Sequence, residues 1–148
     1  MMLLVFKNYI LSLVLMSFSN IVILAQTENL SIEIKEINST SGKIHISIYS
    51  LQNKFLSLTD TFRFKAFNPS NSLERISFSV PPGKYAVATY HDLDDDGKMD
   101  KNLLGIPKEP YGFSNNFKLK LSAPKFEDCQ IEVKENQTHR IEIFLQNY

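Results

Sequence analysis

The chain has 148 residues, 16 basic and 16 acidic side chains, one cysteine and no tryptophan. That length supports one domain, the balanced charge argues against a general nucleic-acid or anionic-membrane surface, and a lone cysteine excludes an internal disulfide. Stability has to come from a buried apolar core, which a chain of this size can build without staples.

Residues 1–25 read as a secretory signal peptide. Lys7 precedes an apolar run from Tyr9 to Leu24, and Ala25 supplies a small residue for cleavage before Gln26. Ile23 fits that site poorly, and the alternative is an uncleaved anchor. Against the anchor, the apolar run is shorter than the ~20 residues a spanning helix needs, and Ser12, Ser17, Ser19 and Asn20 interrupt it. No cysteine stands near the cleavage point to carry a lipoprotein anchor. Cleavage leaves residues 26–148 as a single domain, secreted or periplasmic, with no stable membrane insertion. Its net charge is near −1, since Lys7 leaves with the leader.

In the mature chain, Leu30, Ile32 and Ile34 alternate with polar residues, as do Ile44, Ile46 and Ile48. A period of two means strands with one face inward. The turn cluster 38–42 between them predicts a hairpin, with His45, Ser47 and Tyr49 facing out. Leu51 to Thr61 has no clean period, and Phe55, Leu56 and Leu58 suit a short helical turn over the core. Phe62, Phe64 and Ala66 predict a third strand, and Ile76, Phe78 and Val80 a fourth. Tyr85 to Tyr90 is more uniformly apolar and suits a central strand. Phe117, Leu119 and Leu121, then Cys129, Ile131 and Val133, then Ile141, Ile143 and Leu145 complete about seven to eight strands. No long amphipathic helix appears. The fold class is all-β, an antiparallel sandwich.

One stretch breaks this rhythm. His91 to Asn116 is too long for an ordinary connection, and its prolines and aromatics argue against disorder. Asp92-x-Asp94-x-Asp96-Gly97 reproduces the first half of a calcium loop: alternate carboxylates converge on one point and glycine permits the bend. Asp100 falls where such loops often act through a water. Leu103 occupies the place of the bidentate glutamate, and flanking helices are missing, so this is not an EF-hand. The same residues are also ordinary turn formers. The metal candidates are Asp92, Asp94, Asp96 and Asp100, with calcium as the cofactor.

Gly105 to Phe113 follows. It either presents Tyr111 and Phe113 to a ligand, with Glu109 lending an oxygen to the cation, or folds as a stiff lid with Phe113 plugging the core. The lid is the favoured reading. His91 completes this candidate ligand surface, although a strand-end residue bonded to backbone describes it better than a zinc ligand or general base. Cys129 shares the parity of Ile131 and Val133 and is expected in the core. Ser114 lacks a nucleophile elbow. Asn29, Asn38 and Asn136 fit the glycosylation pattern, and equally read as polar strand-edge residues.

The residues YHDLDDDGKMDKNLLGIPKEPYGFSNN, with PPGKYAVA upstream, resemble a bacterial family known as domain of unknown function 2141. Its pattern is HD-x-(D/N)-x-(D/N)-GK-x-D, then G-I-P-x-E-x-x-G-F-S-N. The resemblance runs from about Leu30 to Leu145. The PPGKY turn and strand are also similar to transthyretin-like and carboxypeptidase-regulatory-like sandwiches. The resemblance implies a Greek-key, prealbumin-like sandwich and an exported or periplasmic location, and brings no activity with it. Many members carry asparagine where this chain has Asp94 or Asp96, so this loop is the more strongly charged.

Together these features predict an exported, non-catalytic β-sandwich module of the cell envelope with a calcium-stabilised loop. Its expected partner is an envelope protein or a polysaccharide, not nucleic acid. The competing expectation is a metal-assisted hydrolase with His91 beside the aspartates.

Overall fold

Apolar alternation becomes eight strands in the computed structural model, which describes residues 28–119 and 122–147. They are β1 (Leu30–Lys35), β2 (Lys43–Ser50), β3 (Arg63–Phe67), β4 (Leu73–Phe78), β5 (Gly83–Asp92), β6 (Tyr111–Phe113), β7 (Gln130–Val133) and β8 (His139–Phe144). One sheet has the order β4-β1-β8 and the other β3-β2-β5-β6. β7 pairs with Gly83 to Ala86 of β5 and β6 with Ala88 to Tyr90, so both run along one edge of that strand. β5 is central, as its composition predicts. Every strand pair is antiparallel except β1 with β8. The protein is an all-β sandwich. The expected signal peptide and Leu121 lie outside the described residues.

Between the sheets, Ile32 and Ile34 of β1 meet Ile44, Ile46 and Ile48 of β2, Val87 of β5 and Ile143 of β8, all fully buried. Each such side chain contributes roughly 1.5–3 kcal/mol by leaving water. The sheets also meet at a corner, where Tyr111 exchanges backbone hydrogen bonds of 3.0 and 2.8 Å with Gln146. Gly112 is required there: a Cβ would stand 2.4 Å from Ile143 Cγ2.

Four expectations change. β1 and β2 do not form a hairpin; they belong to different sheets, and β1 lies between β4 and β8. The turn 38–42 is instead a crossover, with Ile37 buried beneath it. Residues 51–61 form turns without a helix. In β3 the inward face is reversed: Ser47 pairs with Phe64 and Ile44 with Phe67, which puts Phe64 outside, 53% exposed, and Phe67 against the core. A one-residue change of register exchanges the faces of a strand. Phe117 to Leu119 is not a strand, and the eighth strand is β6, inside the stretch expected to be loop.

The outer face of the larger sheet is not open to water. Tyr49, Tyr90, Tyr111, Phe113, Phe126 and Cys129 form a second buried cluster there, covered by the segments around Phe55, Met99 and Leu119. Cys129 is therefore buried, but on the far side of the sheet from Ile131. Burial, aided by the negative charge of Asp128, pushes its thiol up to about 12. Asn29 is pinned as well, its side chain bonding both backbone groups of Val80 at 2.8 and 3.0 Å.

A thiol so placed is protected twice, by access and by protonation. In the folded protein at pH 8, Cys129 is expected to be silent toward a disulfide-exchange dye. It should react only at the rate of unfolding, a test read by stopped and continuous labelling with and without denaturant.

Candidate metal centre

β5 ends by carrying Asp92 to the outer side of the sheet. Its carboxylate is fully buried, and a buried charge is tolerated only when paired and hydrogen-bonded. The chain satisfies it locally. Oδ1 accepts the N–H of Asp96 at 3.2 Å and Oδ2 that of Gly97 at 2.9 Å. This curls residues 92–97 into a closed turn, for which Asp95 (φ 61°) and Gly97 (φ 79°) take left-handed backbone.

Burial by itself raises the Asp92 pKa. The N–H groups of Gly97 and Asp96, the nearby His45 and the Asp95 N–H outweigh it and hold the carboxyl below its usual 3.8. Gly42 also belongs to this end of the sheet. A Cβ at that position would stand 1.9 Å from the Asp92 carbonyl oxygen, and its φ is 74°.

The turn brings three of the four expected ligands together. One carboxylate oxygen each from Asp92, Asp94 and Asp96 lies within 4.8 Å of the others. Oxygens bound to one calcium at ~2.3–2.6 Å can be at most about 5 Å apart, so this spacing suits that ion. Asp100 stands outside the cluster, and its N–H and carbonyl instead bond to Glu109 and Lys108. Asp95 turns away to Lys43, 2.8 Å from Oδ1.

Glu109 was expected to lend an oxygen to the cation. It is not in the cluster; it is buried, and its two oxygens accept the N–H groups of Leu93 (2.8 Å) and Asp100 (3.0 Å). It clamps both ends of the acidic turn. His91 is also buried, with Nε2 2.7 Å from the Ser41 carbonyl and its N–H on the Pro110 carbonyl, in keeping with a backbone-bonded strand end. Tyr111 and Phe113 are buried in β6; the segment is a strand of the larger sheet and not a lid over the end of the sandwich, and Phe113 packs in the outer-face cluster and not in the core between the sheets. Ser114, fully buried, accepts the Val87 N–H at 2.9 Å and donates to the Cys129 carbonyl, so its hydroxyl is a tie between elements.

His45 escaped the sequence reading, which put it on an outward, solvated position. Its Nε2 stands 3.3 Å from Asp92 Oδ2, out of line for a hydrogen bond, and its ring stacks on Tyr90 at 4.6 Å. Burial lowers its pKa below 6.5 against the opposing pull of Asp92. Alternation identified the face of β2 but carried no sign that a later loop would cover it. Tyr90 is held protonated, its pKa raised to about 12 by burial and then by the charges of Asp92 and Glu109.

The sequence profile of a bacterial family described as "Uncharacterized protein conserved in bacteria (DUF2141)" matches residues 32–141. The chain belongs to this family. No curated protein and no solved structure matches it. The matched span covers the whole acidic loop and the G-F-S-N-N run, Gly112 to Asn116. Here that run is structural: Gly112 admits β8, Ser114 ties β5, and Asn116 pairs through its amide with Glu142 and Phe144 of β8 at 3.1 and 3.0 Å.

Two outcomes follow from this geometry. Glu109→Ala should cost about 1–3 kcal/mol, and hydrogen exchange should speed at the Leu93 and Asp100 amides while Gly97, held by Asp92, keeps its protection. In chelator, His45 and Asp92 both have folded pKa values below their free values, so their contributions are complete at neutral pH. Stability should decline as pH falls below about 6.5 through His45 and again below about 3.8 through Asp92. His45→Gln should remove the first decline in denaturant titrations across pH.

Proposed function

We propose that the acidic loop binds calcium as a structural clip, in an exported, non-catalytic β-sandwich module that serves as a binding or structural protein of the cell envelope. The observation that carries the calcium reading is the convergence of Asp92, Asp94 and Asp96 oxygens within 4.8 Å. All the donors are hard oxygens, which suit calcium or magnesium over zinc. The loop is open on its solvent side, with Asp94 and Asp96 exposed, so water and backbone carbonyls can complete the coordination. Such a site tolerates calcium's flexible geometry more readily than magnesium's strict octahedron.

The non-catalytic reading draws support from how the polar side chains are used. The imidazole of His91 faces Ser41, the carboxylate of Glu109 clamps backbone, and the hydroxyl of Ser114 joins two elements. Those groups hold the structure together. The expected partner, an envelope protein or a polysaccharide, rests on the exported location implied by the leader.

Extracellular sites of this sort have dissociation constants of ~0.1–1 mM. At about 1 mM free calcium and 0.1 mM affinity, linkage adds roughly 1.4 kcal/mol. The melting temperature should rise with millimolar calcium and return in chelator. Asp94→Asn with Asp96→Asn should abolish the response. An unchanged wild-type melt, or a calcium response that survives both substitutions, removes the proposal.

A further inference from the structure

Beneath the returning acidic loop, on the outer face of the larger sheet, lies a cavity of about 530 Å³. Its origin is a pair of small residues. Ser47 and Ala88 sit directly opposite each other on β2 and β5, between the larger rings of Tyr49, Tyr90, Tyr111 and Phe113, which also line the space. Two small side chains facing each other on a sheet leave a hollow that their aromatic neighbours wall. Met99 and Ile106 from the loop, with Leu56 and Leu119, complete the lining of a space that remains partly open to solvent.

Volumes of about 300–1,000 Å³ with an apolar, aromatic lining are typical of small-molecule sites. Among the described residues, the charged side chains on the wall are Lys98 and Lys101, both exposed on the loop. The carboxylates of the same loop are absent from the lining: Asp92, Asp94 and Asp96 converge on one another, Asp95 pairs with Lys43, Glu109 clamps backbone, and Asp100 is exposed. Tyr90, stacked on His45, forms part of the floor.

We propose that this cavity is a binding site for a small amphipathic monoanion, an alkyl or aryl carboxylate whose apolar body lies on Ser47 and Ala88 and whose head meets Lys98 and Lys101. An apolar chamber favours the body, and a lysine pair at the wall selects the sign of the head. The reading goes beyond calcium binding and stands or falls separately from it.

The test is a titration of the full-length protein with sodium decanoate in chelator, followed by methyl NMR at Ala88 and Met99. Chelator keeps calcium from complexing the probe and separates this result from the calcium melt. Decanoate should give saturable shifts centred on those two methyls, and decyltrimethylammonium should bind at least tenfold more weakly. Ala88→Leu, which fills the hollow, should weaken decanoate at least tenfold. Ser47→Val offers a second obstruction should Ala88→Leu fail to fold. Lys98→Gln with Lys101→Gln should weaken decanoate by ~5-fold, the worth of an exposed charge pair of about 1 kcal/mol. Absence of saturable shifts in the wild type, equal binding of the cationic probe, or full affinity in folded filling variants overturns the proposal.

Discussion

The buried carboxylate of Asp92 is the constraint on which this end of the molecule depends. β5 places a negative charge on the covered face of a sheet, where it needs hydrogen bonds or an opposite charge. The chain answers by turning back at once, so that the N–H groups of Asp96 and Gly97 reach it. That return has three consequences. Asp94 and Asp96 are brought beside Asp92, the segment that follows crosses the outer face of the sheet, and His45 is enclosed next to a carboxylate. An apolar residue at 92 would leave the turn without its acceptor, and the later path of the loop without a cause.

Glu109 and Asp92 divide the work of holding the loop. Asp92 closes the turn from within, while Glu109 ties its two ends, Leu93 and Asp100, from the strand-forming segment beyond. Both are acidic, buried and acceptor-only, and both are spent mainly on backbone N–H groups. The acidic stretch is thus two kinds of site in one sequence. Asp92 and Glu109 make the loop's architecture, and the exposed pair Asp94 and Asp96, beside Asp92, would offer oxygens to the proposed ion. Calcium would add to a turn already formed, which accords with a modest stabilising clip.

The covered outer face changes what the sandwich can be used for. In an open antiparallel sheet, one face packs and the other is solvated. Here both faces of β5 are buried, and the second face is closed over a hollow created by Ser47 and Ala88. The loop that roofs this space also carries exposed carboxylates and lysines, Asp94, Asp96, Lys98 and Lys101 among them. Any ligand of the cavity and any ion in the turn would therefore meet across a few residues, Lys98 and Met99 among them.

The sequence by itself determined the all-β class, the central place of β5, most strand positions, and the acidic turn with Gly97 at its bend. These follow from side-chain period and backbone preference, which are local properties. Only the tertiary structure decided that β1 and β2 part into different sheets, that β3 presents Phe64 outward, and that Tyr111 to Phe113 is a strand. It also decided that Glu109 clamps the loop and that His45 faces Asp92. Those outcomes depend on which strand pairs with which and on where a long connection folds back, and alternation within one segment holds no information about a partner many residues away.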